Sequence, residues 1–279
     1  MELRPTTAAD LPALHALFLD SLGGVFLPHG FEPPAPPLDV FAGQQRHILT
    51  TGSSVVAETT EAIAGFASAW ARGDDWFLAS LFVAPSAQGG GVGSALLDAV
   101  WSDAARRRRT ITDAIQPVSN ALYGRRGLIP VTPVLAFSGL PVGARELLQQ
   151  GNDVGGSLAA IDAAAYGFDR SVDHEHWVRL ARRIVWTRAG EPVAYSYAFP
   201  GGALGPVAGL SSADAADALE STFALAAGPV NVRMPGSARA LVAVALRCRL
   251  RLSSTPGLLL CSDGAEPPSA LAIASFTLL

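Results

Sequence analysis

The chain has 279 residues, enough for one large or two ordinary domains. Apolar residues make up 49% and charged residues 16%, which excludes a disordered chain and supplies a sizeable core. The net charge of −4 argues against a nucleic-acid partner, and no apolar run reaches the ~18 residues of a membrane span, so a cytoplasmic protein is expected.

Residues 2–5 read as a short strand. Thr7 and Asp10 have the spacing of a capping box, and Leu11, Leu14, Phe18 and Leu22 follow at helical intervals. A Gly/Pro-rich loop over 23–37 leads to a second helix at about 38–49. Strands are predicted at 54–59, 62–70 and 77–83. Four glycines at 89, 90, 91 and 93 come next, then a helix to about Arg107. The Arg106–Arg109 run is read as its solvated C-terminus, where cations complement the helix dipole. A strand at 110–115, a helix at 119–126 and a strand at 130–137 complete a mixed α/β layout in the first 140 residues. A linker-like segment covers 141–156.

The pattern partly restarts after it. TEAIAGFASA (60–69) resembles GEPVAYSYAF (190–199), offset by 130 residues (191 − 61). QPVSNALYGRRGL (116–128) resembles SARALVAVALRCR (237–249), offset by 121 (237 − 116). The second copy therefore lacks about nine residues between these landmarks, in the interval that holds the glycines. There LGPVAGL (204–210) runs straight into a helix capped by Ser211 and Asp214. The chain is accordingly divided into domains 1–140 and 157–279.

A plain flexible connector does not suit the glycine stretch, which lies between an apolar strand and an apolar helix. A dinucleotide-binding turn needs G-x-G-x-x-[GA] in the first βαβ unit of its domain. Gly91-Val92-Gly93 runs on to Leu96, and Gly89-x-Gly91 to Ser94, so neither frame completes the pattern, although Asp113 lies twenty residues after Gly93. Gln88-Gly89-Gly90-Gly91-Val92-Gly93 does match [QR]-x-x-G-x-[GA], with Val83 and Pro85 before it and Ser94-Ala95-Leu96-Leu97 after it.

This stretch resembles the acetyl-CoA loop of the GNAT acyltransferase superfamily. Gln116, Ser119, Leu122, Tyr123, Gly127 and Leu128 occupy a second motif of that family, N-x-x-A-x-x-L-Y-x-x-x-G-[FL], with Gln for Asn and Ser for Ala. LRPTTAADLPALHALF (3–18) looks like the family's first strand and helix. Backbone N–H groups converging at a helix N-terminus attract an anion, and glycines let a pyrophosphate approach. The resemblance implies tandem GNAT folds, each a mixed, mainly antiparallel sheet flanked by helices. The first is intact and the second degenerate, with Val244 in place of the Tyr and Cys248 in place of the Gly.

The resemblance further implies acetyl-CoA as acyl donor and direct attack by a primary amine of a small molecule or peptide. Gln88, Gly89, Gly90, Gly91, Val92, Gly93, Ser94 and Gln116 would hold the donor. The backbone of Leu81, Phe82 and Val83 would seat its pantetheine arm and stabilise the oxyanion. Tyr123 would protonate the departing thiolate. Where some relatives carry a Glu base, Phe77 stands here; Asp74, Asp75, Glu58, the loop with His29 and the carboxylate of Leu279 remain open. Arg125 or Arg126 could reach the 3′-phosphate end. No metal is expected, because His174-Glu175-His176 supplies two ligands without a third, and Cys248 and Cys261 form no framework. Trp186, Tyr195 and Tyr197 are read as core. A monomer or homodimer is expected. Two other functions stay open: a non-catalytic acyl-CoA sensor or scaffold, and a mycothiol-synthase-like acetylation of an amino-sugar conjugate.

Overall fold

A computed structural model describes residues 1–60, 62–153 and 156–279. The repeat landmark Glu61 and linker positions 154 and 155 lie outside the described residues. The chain forms two compact units. The first holds Met1–Thr110 and Ile115–Leu128, the second Ile111–Ala114 and Ile129–Leu279. Both are mixed α/β, with mostly antiparallel strands flanked by helices.

In the first unit the chain runs β1 (Glu2–Pro5), α1 (Leu11–Phe26), α2 (Leu38–Thr51), β2 (Gly52–Glu58), β3 (Ile63–Arg72), β4 (Asp75–Val83), α3 (Val92–Val100), β5 (starting at Arg107 and ending at Asp113) and α4 (Pro117–Gly124). The strand order is β1-β2-β3-β4-β5, antiparallel except for β4 beside β5. The Thr7–Asp10 box is formed: Thr7 N–H donates to Asp10 at 2.8 Å, and the Arg4 guanidinium holds the Asp10 carboxyl well below the usual range. By length and composition Ala8–His29 would suit a bilayer span, which the sequence reading did not register. Its apolar face has another use. Leu11, Leu14 and Leu17 pack with Phe41 and Ala42 of α2 and with Val56 and Phe66 of the sheet.

Helix α3 corrects the sequence reading. It ends at Val100, not near Arg107, because Trp101 turns extended and the Trp76 indole N–H donates to the Val100 carbonyl at 3.0 Å. The Arg107–Arg109 stretch therefore opens β5 instead of closing a helix. Alternate residues of a strand share a face, and Arg107 and Arg109 both pair with the buried Asp75.

In the second unit the elements are β6 (Ile129–Gly139), β7 (Gln149–Gly151), α5 (Ser157–Ala165), α6 (Ser171–Trp177), β8 (Arg182–Arg188), β9 (Glu191–Ala198), β10 (Ala203–Gly209), α7 (Ser212–Ala224), β11 (Val230–Pro235), α8 (Arg239–Arg247), β12 (Arg251–Leu252), β13 (Gly257–Cys261) and β14 (Leu271–Ala272). Strand order is β13-β6-β11-β10-β9-β8-β7, with β12 on β6 and β14 on β10. β6, read from sequence as the last strand of the first half, pairs here with β11 and β13. β7 falls inside the expected linker and pairs with β8. The order β8-β9-β10-α7-β11-α8 repeats β2-β3-β4-α3-β5-α4. Between β4 and α3 lie residues 84–91; between β10 and α7 lie only Leu210 and Ser211.

Candidate functional site

The first unit's sheet splits between β4 and β5. β3 pairs with β4 along its whole length, from Arg72↔Asp75 to Gly65↔Val83. The parallel ladder with β5 covers only Asp75↔Arg107 to Leu78↔Thr110. The register with β3 shifts at the same place: Leu78 faces Ala69 and Ser80 faces Ser68, so Ala79 is an extra residue. Such a bulge bends its strand. At the base of the split, Asp75 is 1% exposed and bonds Arg107 at 2.6 Å and also Arg109.

The open edge has a defined polarity. Ala84 N–H donates to Ala64 at 2.9 Å, toward β3. Antiparallel ladders alternate every two residues, so Phe82 also turns its backbone groups to β3. Its carbonyl lies 2.8 Å from where a Cβ on Gly65 would stand. Leu81 and Val83 therefore turn theirs to the open side. Val83 O receives the Gln88 side-chain amide at 3.1 Å.

That bond ties the glycine loop to the strand. Gln88 is extended, Gly89 and Gly91 have φ of 82° and 85°, and Gly91 caps α3 without a side chain. Among the described residues, no carbonyl accepts the N–H groups of residues 89–94. A left-handed turn feeding a helix N-terminus aims such groups at one place, where the helix dipole favours an anion. Val92 is buried and offers only backbone; Gly89, Gly90, Gly91 and Ser94 are exposed. A Cβ on Gly93 would touch Leu122 at 3.6 Å, Val83 at 3.7 Å and Leu81 at 4.0 Å, so here loop, β4 and α4 close together.

On α4, Tyr123 is 4% exposed. Burial pushes its hydroxyl above its ordinary value, against a smaller downward pull from Ser119, and keeps it protonated at neutral pH. Gln116 has a local role: its side-chain oxygen accepts Val118 N–H at 3.1 Å, capping α4. Arg126 pairs with Asp98 of α3 and lies over the Trp101 ring at 5.6 Å; Arg125 is exposed.

The base candidates are mostly engaged. Asp75 is clamped, Glu58 bonds Arg4 at 2.7 Å, Asp74 lies 4.0 Å from Arg106, and Phe77 stacks on Trp70. His29 sits exposed at the turn after α1. In the second unit Leu279 O accepts from Arg170. In the same unit His174 lies 3.1 Å from Asp162 and 2.8 Å from Tyr197, and Tyr195 donates to Asp162 at 2.7 Å, a buried core network. Asp113, noted in the sequence only for its distance from Gly93, has its pKa pushed up to about 6 by burial, partly opposed by Arg233. Its signal in the sequence was its place at the end of a strand.

Residues 50–127 match the family model described as an acetyltransferase (GNAT) domain. That stretch of the chain is thus similar to an acetyltransferase (GNAT) domain, and Gln88–Ser94 and Tyr123 lie inside it. Among solved structures, a Pyrococcus horikoshii protein described as an acetyltransferase aligns with 100% of this chain and 95% of its own, at TM-score 0.78 and 16% identity. A GCN5-related N-acetyltransferase from Sphaerobacter thermophilus aligns over 94% of this chain and 95% of its own, at TM-score 0.62 and 16% identity. A GCN5-related glucosamine N-acetyltransferase region of a fungal multi-domain β-N-acetylglucosaminidase aligns with 93% of this chain and 38% of that one, at TM-score 0.65 and 14% identity. These likenesses establish a shared fold. No curated protein matches the chain.

Proposed function

We propose that the protein is an acetyl-CoA-dependent N-acetyltransferase, with its active site in the N-terminal domain and a degenerate second copy after it. One juxtaposition supports this reading: the open Leu81–Val83 edge ends at a loop whose N–H groups lack acceptors among the described residues. Gln88–Ser94 would hold the pyrophosphate through backbone N–H groups. Leu81 and Val83 would pair with the amide-bearing arm, and one of their N–H groups, aimed at the thioester oxygen, would stabilise the oxyanion as the amine attacks. Phe82, whose backbone turns to β3, packs its ring on Phe18 and Phe66 instead.

Tyr123 supplies the proton to the departing thiolate sulfur. A thiol of pKa ~8.5 leaves fairly well unaided, so this role is worth the low end of the roughly 10²–10⁴-fold range for acid–base groups. With the nearby carboxylates engaged, the amine would lose its proton through water, which favours an acceptor of low pKa. The acceptor is a small-molecule or peptide primary amine, and the enzyme acts in the cytoplasm as a monomer or homodimer.

The test is to mix protein, acetyl-CoA and a panel of amines and to follow free thiol. Thiol release with at least one amine is the expected result. Thermal stabilisation by CoA without turnover on any amine would leave an acyl-CoA sensor, and no stabilisation by CoA would remove the cofactor assignment.

A further inference from the structure

The second unit carries the counterpart of the open edge. Its parallel ladder between β10 and β11 is even shorter, Ala203↔Asn231 and Leu204↔Val232. The register with the preceding strand again shifts just beyond: Leu204 to Val207 spans three residues while Ala198 to Ser196 spans two. Counting from the ladder's end, Val207–Gly209 hold the places of Leu81–Val83.

This edge is taken. β14 pairs antiparallel with it, Val207↔Ala272 and Ala208↔Leu271, and Gly209 N–H donates to Ala270 at 3.2 Å. On its other side Ile273 N–H donates to Arg233 of β11 at 2.9 Å. Ala270–Ile273 thus bridges both splayed strands, and Leu271, Ala272 and Ile273 are fully buried. Gly205, at φ 136°, makes room: a Cβ there would run into the Ile273 carbonyl. The adjoining helix start is closed to anions as well. Ser211 accepts Asp214 N–H at 3.1 Å, and the Asp214 carboxylate, paired with Arg188, already sits in the first turn of α7.

We propose that Ala270–Ile273 is a built-in occupant of the second cofactor cleft. It takes the seat that the donor's amide-bearing arm takes in the first unit, so the chain binds one acyl-CoA and its second cleft recognises an extended polypeptide backbone. The inference rests on the reading of Leu81–Val83 as the arm's seat. A polypeptide offers the same alternating amide N–H and C=O groups as the arm, and it serves both strand edges at once.

The experiment cross-links the occupant in the full chain. Gly209 N–H bonding Ala270 makes Val207↔Ala272 a hydrogen-bonded pair and Ala208↔Leu271 the closer, non-hydrogen-bonded one, where a disulfide fits. CoA stoichiometry is measured by calorimetry on wild type and on Ala208→Cys/Leu271→Cys, reduced and oxidised, alongside amide exchange of wild-type Gly209 and Ile273. The expected result is one CoA per chain in every form, with both amides exchanging only on global unfolding. Two CoA per chain in wild type or the reduced variant, or a site lost on oxidation, would overturn the proposal. So would exchange of these amides as fast as a frayed end, a readout that stands even if the variant misfolds. If no form binds CoA, the proposed function fails, while amide protection still decides whether the segment is seated.

Discussion

The strands of the two units part at equivalent places, β4 from β5 and β10 from β11, and the two splits are held open by different means. In the first unit a buried carboxylate, Asp75, locks two guanidinium groups across the base of the β4–β5 ladder, and among the described residues no strand pairs with the Leu81–Val83 edge above. In the second unit no ion pair occupies that place among the described residues; the chain's own Ala270–Ile273 lies in the gap and hydrogen-bonds both lips. A fold that must admit a ligand has to hold apart two strands that would otherwise pair. A charge clamp does so from below and leaves the seat free. A strand insert does so from within and uses the seat up.

The contrast can be broken most forcefully at the clamp. Asp75→Asn leaves two guanidinium groups, one of them buried, facing a neutral amide. Urea unfolding is expected to report a loss of about 3–5 kcal/mol, the usual cost of breaking a buried pair. A loss below about 1 kcal/mol would mean that the clamp is not what holds the first split. Gly91→Val comes next. A Cβ there meets no atom of the described residues within 4 Å, so the fold has room, but at φ 85° a branched residue is strained by roughly 1–2 kcal/mol and its side chain enters the proposed N–H cradle. CoA affinity should fall more than about 100-fold by calorimetry, or ~2.7 kcal/mol. Affinity within threefold of wild type would discard the loop as the phosphate seat.

Tyr123→Phe sharpens the comparison at the position where the second copy has Val244. We expect kcat to drop about 10–100-fold with KM for acetyl-CoA nearly unchanged. A rise in KM alone would make Tyr123 a packing residue. The smallest effect belongs to Asp113. A carboxyl raised from 3.8 to about 6 on folding binds more protons folded than unfolded between those values. Stability then falls as pH climbs through that window and levels off above it. The wild type should lose about 1–2 kcal/mol between pH 4 and 7, a slope that Asp113→Asn removes. An equal slope in both would assign it elsewhere.

The sequence was most informative where one residue type was forced. Left-handed turns need glycine, so Gly89 and Gly91 with Gln88 marked the loop, and the Thr7–Asp10 box marked the start of the first helix. Partnerships distant in sequence were hidden. Arg106–Arg109 suits a helix end as well as a strand, and distant partners, the Trp76 indole on Val100 and Asp75 on Arg107 and Arg109, decide between them. Gln116 matched a cofactor motif, yet its side chain caps its own helix. In sequence, LAIASFTLL (271–279) is only an apolar run, because pairing with β10 and β11 leaves no trace in local composition. The missing loop of the second copy was visible as a nine-residue deficit, but what fills the cleft beside it was not.

The bond from Gln88 to Val83 O has a metrical consequence. It anchors the loop to one end of an edge whose other end is the Ala79 bulge, and the strand between, Ala79 to Val83, spans about 13 Å at ~3.3 Å per residue. In the proposed site that segment would be a ruler between the place for the phosphates and the place where β4 bends. Adding two residues to it would keep every side chain on its own face and still carry the far mark about 7 Å away. On the proposed reading, the length of one short piece of strand would set which donor arm brings its reacting carbon to the bend.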